Sequence, residues 1–152
     1  MAQFDVFRNL SKSEMKSILD FGVIRPVDSG KLLFRKGDVG HEMYIVLKGK
    51  IQIIDEYDTH RKILAELGPG EIFGEMAMFE RSTRSAHACA KENSQVLVLS
   101  EDVLKRLMEK KIPRQFLANV IEILCHRLRL TNVMYMRAKY GEGYPKEVKW
   151  LG

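Results

Sequence analysis

No apolar run in this sequence reaches the roughly 18 residues that a membrane-spanning helix needs. The amino terminus, Met1-Ala2-Gln3-Phe4-Asp5, lacks the basic flank and apolar stretch of a secretory signal. Both absences make a cytoplasmic location the expectation. Cysteine is scarce: Cys89 and Cys125 are too few for a disulfide framework and read as reduced thiols packed as small hydrophobes. No Cys-x-x-Cys motif accompanies them. In His87-Ala88-Cys89 the outer side chains share one face of a strand. In Cys125-His126 they point apart on a helix. Four converging ligands are not assembled, so no metal is expected. A Gly-x-x-x-x-Gly-Lys loop for ATP is also missing. Ser82, Ser85 and His87 lie close in sequence but outside any strand–elbow–helix nucleophile context. No acid and base gather around a reacting centre. Neither an enzyme nor a resident cofactor is expected.

What is present is a globular chain. Its 152 residues, 45% of them hydrophobic, suffice for one domain with a sizeable core. The net charge is +5. From Arg127 onward six basic residues face two acidic ones, so most of the excess sits at the C-terminal end. No basic residues stand side by side there, which fits a solvated helix face and tail better than a nucleic-acid arm.

Three textures follow one another. Ser11 with Glu14 three residues on is a capping-box pattern. Met15, Ile18 and Leu19 continue at helical spacing, and Gly22 ends a helix over 11–21. From 23 to 99 short apolar runs alternate with glycine turns. The runs are Leu32–Phe34, Met43–Leu47, Ile51–Ile54, Ile63–Leu67, Ala86–Ala90 and Val96–Leu99. Strands at this spacing argue for an antiparallel barrel or sandwich. Ile51-Gln52-Ile53 alternates as a wall with one wet face does. From 100 to 137 the chain reads as helix. Ser100 is an N-cap followed by acids, and Pro113 stands near the start of a longer helix. Leu117, Ile121, Leu124, Leu128, Thr131 and Tyr135 make one heptad stripe. Phe116, Val120, Ile123, Leu130 and Met134 make a second. Two stripes imply two packing surfaces, one on the chain's own barrel and one for a second copy. Gly141 breaks the helix, and 138–152 reads as a tail or the start of a linker to an effector domain. No helix-turn-helix pattern follows, so no nucleic-acid contact is expected within the chain.

The segment from Phe73 to Ala86 carries the most chemistry. Gly74 and Glu75 open a short apolar turn, and Arg84 follows nine positions after the glutamate. Backbone N–H groups and a fork-shaped guanidinium suit a phosphate, while a carboxylate can accept from a ribose hydroxyl. One loop thus holds the groups for a sugar and a phosphate together.

With its surroundings, this segment resembles the cyclic nucleotide-binding domain shared by the catabolite activator protein and the regulatory subunits of cyclic-nucleotide-dependent kinases. The likeness runs from about Phe7 to Arg137. It rests on three glycine-framed hairpins in order, within 30–38, 43–51 and 67–75, and then on Gly74-Glu75 and Arg84-Ser85-Ala86. It implies an eight-stranded antiparallel barrel of jelly-roll type with an N-terminal helix and long C-terminal helices. It further implies that Glu75 accepts from the ribose 2′-hydroxyl and that Arg84 pairs with the cyclic phosphate. Gly74, Met76 and Ala77 would line the cassette, and Ser85 would offer a hydroxyl to phosphate or purine. Thr131 or its neighbour Asn132 would contact the base, with Leu64 and Phe73 in its apolar wall. Thr83 departs from the family, many of whose members have proline there. The expected ligand is cAMP or cGMP, read by a sensor that moves its C-terminal helix and dimerises through it. The alternative is a dimerisation or docking module of the same fold whose pocket stays empty.

Overall fold

The computed structural model describes residues 4–57, 59–109 and 112–141. Ser11 caps α1 (Lys12–Phe21) through the expected capping box: its hydroxyl accepts from the Glu14 N–H, and the Glu14 carboxylate accepts from the Ser11 N–H. Eight strands follow: β1 (Val23–Val27), β2 (Leu32–Phe34), β3 (Glu42–Lys48), β4 (Ile51–Tyr57), β5 (His60–Leu67), β6 (Ile72–Phe73), β7 (His87–Ala90) and β8 (Ser94–Ser100). A short α2 (Glu75–Glu80) lies between β6 and β7, and α3 (Glu101–Glu109) and α4 (Arg114–Tyr140) complete the chain. Ser100 does cap α3, accepting from the Val103 N–H at 3.2 Å.

The strands form two four-stranded antiparallel sheets, ordered β1-β8-β3-β6 and β2-β7-β4-β5. Only β4 and β5 are neighbours both in sequence and in space. Such crossing between facing sheets is the jelly-roll arrangement. The two sheets are joined by side-chain packing rather than by a closed ring of hydrogen bonds, so the expected barrel is a sandwich of jelly-roll type.

Two cores explain the sequence texture. Tyr44, Val46, Val96 and Val98 point between the sheets, against Ile51, Ala88 and Ala90. The alternate residues Met43, Ile45, Leu97 and Leu99 point the other way, against Val103, Leu107, Phe116, Val120 and Ile123 of the helices. Strands β3 and β8 are therefore buried on both faces and read as continuous apolar runs. Strand β4 turns Ile51 and Ile53 to the inter-sheet core and Gln52 away, and a register shift between Ile53 and Ile54 ends that alternation.

Helix α4 ends at Tyr140, three residues past the expected boundary, and the Gly141 N–H closes it on the Arg137 carbonyl. The rest of the expected tail lies outside the described residues. Phe116, Val120 and Ile123 bury the first half of the second stripe, and α4 buries nothing beyond Ile123. The first stripe is split: Leu124 packs on the core and Thr131 lines a cavity, while Leu117, Ile121, Leu128 and Tyr135 are exposed. The N-terminal segment straps onto this helix. Asn119 donates to the carbonyls of Val6 and Arg8, each at 2.8 Å, and Phe4 stacks on His126 with ring centroids 3.9 Å apart. Among the described residues no helix is long and apolar enough to cross a membrane.

Candidate functional site

Strand β6 delivers the chain to Gly74, which turns left-handed (φ 76°) before α2 begins. An L side chain is costly in that region, and glycine is not. The first turn of α2 leaves the N–H groups of Glu75, Met76 and Ala77 without intrahelical acceptors. Glu75 is buried, and its Oε1 accepts from Nη1 of Arg127 on α4 at 3.1 Å. Arg127 Nη2 also donates to the Ile72 carbonyl. One α4 side chain thus clasps both sides of the β6–α2 junction.

Arg84 is held by its backbone and by its surroundings. Its N–H donates to the Asp38 carbonyl and its own carbonyl accepts from the Gly37 N–H, both at 2.8 Å. Thr83 forms an antiparallel bridge with Val39. Strand-like pairing thereby fixes the approach to Arg84, where a proline would have fixed it by its ring. The side chain is only 5% exposed. Nη1 donates to the Gly74 carbonyl at 2.8 Å. Cζ lies over the Phe34 ring, 4.2 Å from its centroid. A Cβ on Gly40 would fall 2.2 Å from Nε and 2.3 Å from Cζ, so the guanidinium occupies a slot that only glycine leaves open. Nε is buried with no hydrogen-bond partner. Among the described residues no carboxylate pairs with Arg84, Glu80 included. Beneath it Tyr44 donates to Glu42 at 2.8 Å. Burial, more than that bond, lifts the Tyr44 phenol above its ordinary range.

These groups line a cavity of about 330 Å³ between the β4–β5 sheet face, α2 and α4, within the range of small-molecule sites. Nine expected residues meet there: Leu64, Phe73, Gly74, Glu75, Met76, Ala77, Arg84, Ser85 and Thr131. Asn132 does not line it and is half-buried on the neighbouring helix face. Thr131 Oγ1 donates back to the Arg127 carbonyl at 2.9 Å, which leaves its lone pairs as acceptors. Phe34, Gly40 and Arg127 were not among the expected residues. Arg127 was in principle legible, because it stands one helical turn before Thr131 on the same face. Gly40 and Phe34 act across the fold and leave no local signal.

Comparison with known proteins places the chain in a family. Residues 24–111 match the family described as the cyclic nucleotide-binding domain. The cyclic AMP receptor protein of Thermus thermophilus is 35% identical over 129 residues, covering 82% of this chain and 57% of that protein. Human cGMP-dependent protein kinase 2 is 30% identical over 90 residues, 58% of this chain and 12% of the kinase. The crystal structure of the Thermus thermophilus catabolite activator protein superposes with a TM-score of 0.80 at 30% identity, covering 88% of this chain and 62% of that one. The chain thus spans little more than half the length of the receptor protein it matches. On the family match and the fold together, the chain belongs to the cyclic nucleotide-binding domain family.

Proposed function

We propose that the cavity reversibly binds a cyclic mononucleotide, cAMP or cGMP, as the ligand of a non-catalytic sensor. The carrying observation is Arg84: a buried guanidinium with an unpartnered Nε and, among the described residues, no carboxylate paired with it. Burying a cation without a counter-charge costs several kcal/mol. A phosphate at the cavity edge of Arg84 would supply the missing counter-charge. Glu75, pinned through Oε1, would accept from the ribose hydroxyl beside it. Ile53, Leu64 and Leu130 offer the purine an apolar wall, and Thr131 offers it an acceptor.

The same geometry supports a coupling to α4. Arg127 ties Glu75 and Ile72 to that helix, so a ligand competing for Glu75 changes what holds α4 in place. Ligand shifts the helix only to the extent that it binds one position better than the other. The exposed stripe through Leu117, Ile121, Leu128 and Tyr135 is the surface through which a second copy would pack. That stripe also favours a second reading, a dimerisation or docking module whose cavity plays no part.

Calorimetric titration separates the two. Arg84→Ala is expected to weaken binding by about 2 kcal/mol or more, the scale of charge-assisted hydrogen bonds. Arg84→Lys does not restore it, because the fork is lost. Unchanged affinity in Arg84→Ala would sink the phosphate assignment. No heat from either nucleotide with the unaltered chain would favour the docking module.

A further inference from the structure

Arg84 sits over an aromatic cluster, its Cζ 4.2 Å from the Phe34 centroid and 5.5 Å from that of Tyr44. Tyr44 and Phe73 stack at 5.0 Å between centroids and are each 3% exposed. Phe34 leans on both, at 5.7 Å from Tyr44 and 6.1 Å from Phe73. The pairing of β2 with β7 shifts register between Leu32 and Phe34, and such an irregularity re-aims a side chain at the strand end. It leaves Phe34 lining the cavity, beneath the guanidinium.

Gly74 and Gly40 bound the same group on other sides. A Cβ at Gly74 would fall 2.8 Å from Nη1, and one at Gly40 would fall 2.7 Å from Nη2. The guanidinium is thus framed by two glycines and a ring. A carboxylate in the ring's place would hold the cation too, but it would occupy the N–H donors that an anionic ligand needs. An aromatic face attracts the cation through its quadrupole and uses none of the in-plane donors.

We infer that Phe34 is a positioning residue for anion recognition: its ring stabilises the buried Arg84 charge and fixes its plane while leaving the N–H edge free. This deepens the cyclic nucleotide reading and rests on it. It makes the contribution of Phe34 independent of the base, since cAMP and cGMP share the phosphate.

The test uses the full chain, calorimetric titration with cAMP and with cGMP, and proton–nitrogen NMR of the arginine Nε–H groups. Phe34→Leu is expected to weaken both nucleotides about tenfold and equally, between the scales of an exposed and a desolvated cation–π contact. Phe34→Tyr, which keeps the ring and the core volume, restores affinity. In an Arg84→Gln background, Phe34→Leu adds no further loss. Without ligand, the Arg84 Nε–H proton shows a ring-current shift that Phe34→Leu removes and Phe34→Tyr keeps. Full affinity in Phe34→Leu overturns the inference, as does an equal loss with and without Arg84 or an Nε–H signal that ignores the ring. If the unaltered chain binds neither nucleotide, the cyclic nucleotide reading fails, and the Nε–H signal still judges whether the ring seats the guanidinium.

Discussion

Gly40→Ala separates ligand recognition from stability. Gly40 is buried and its backbone lies outside the left-handed region, so alanine is sterically possible for the main chain. The new methyl would land 2.2 Å from Arg84 Nε, 2.3 Å from Cζ and 2.7 Å from Nη2. Those atoms end a flexible side chain, so the cheapest relief is for Arg84 to leave its slot. Leaving breaks the 2.8 Å bond to the Gly74 carbonyl and the Phe34 contact, but returns the charge to water. Alanine also restricts the unfolded chain, which stabilises by about 0.4–1 kcal/mol. Stability is therefore expected to change by less than about 1 kcal/mol. Binding is expected to lose about 2 kcal/mol, or roughly 30-fold, because the displaced guanidinium no longer meets the phosphate. Calorimetric titration with cAMP and cGMP, run beside a thermal melt, reads both quantities. Unaltered affinity with an unaltered melt would refute the placement of Arg84 or its role. A large fall in the melting temperature would show that the backbone, not Arg84, yields to the methyl.

Three other outcomes follow from the geometry. Arg127→Ala unfastens Glu75 and Ile72 from α4, so hydrogen exchange in the second half of α4 should accelerate without ligand; an unchanged pattern would contradict the coupling. Ile121→Glu places a charge in the exposed stripe of α4; if a second copy packs there, sedimentation velocity should show a dimer for the unaltered chain and a monomer for the variant, whereas a variant that still dimerises would place the interface elsewhere. The Tyr44 phenol titrates above its ordinary range because burial disfavours the phenolate and Glu42 accepts from its hydroxyl. The fold therefore keeps a proton that the unfolded chain releases. That stability is complete below about pH 10, the unfolded value, and is lost as pH rises through the higher folded value. Tyr44→Phe should flatten the alkaline fall in denaturation midpoint; an equally steep fall would remove Tyr44 as its cause.

The sequence was most legible where chemistry is local. The Ser11–Glu14 capping box and the Ser100 cap each rest on residues a few positions apart, and the structure has both. The glycine turns are there too, with Gly30, Gly37, Gly49 and Gly70 at positive φ, but the expected hairpins are not: each of these turns carries the chain from one sheet to the other, so its flanking strands do not pair. The doubly buried strands β3 and β8 stand out as unbroken apolar runs. Strands were less legible where polar residues carry the ladder. Strand β4 continues through Asp55 and Glu56, and β5 begins at His60, because those ends pair with each other in the open. Strand β1 contains Pro26, which is tolerated at the edge of its sheet. Gly74, Glu75 and Arg84, which their spacing singled out, do line one cavity. Their partners were not singled out, since Gly40, Phe34 and Arg127 reach the cassette only through tertiary packing. Asn132 does not line the cavity, for a local reason: a helix turns about 100° per residue, so Asn132 leaves the face that Thr131 presents to it.

Side-by-side calorimetric titration of the full chain with cAMP and cGMP decides whether Arg84, Glu75 and the wall around them form a cyclic nucleotide site. Saturable binding of at least one of them, with one nucleotide per chain, is the predicted result. No heat and no thermal shift with either nucleotide would contradict it.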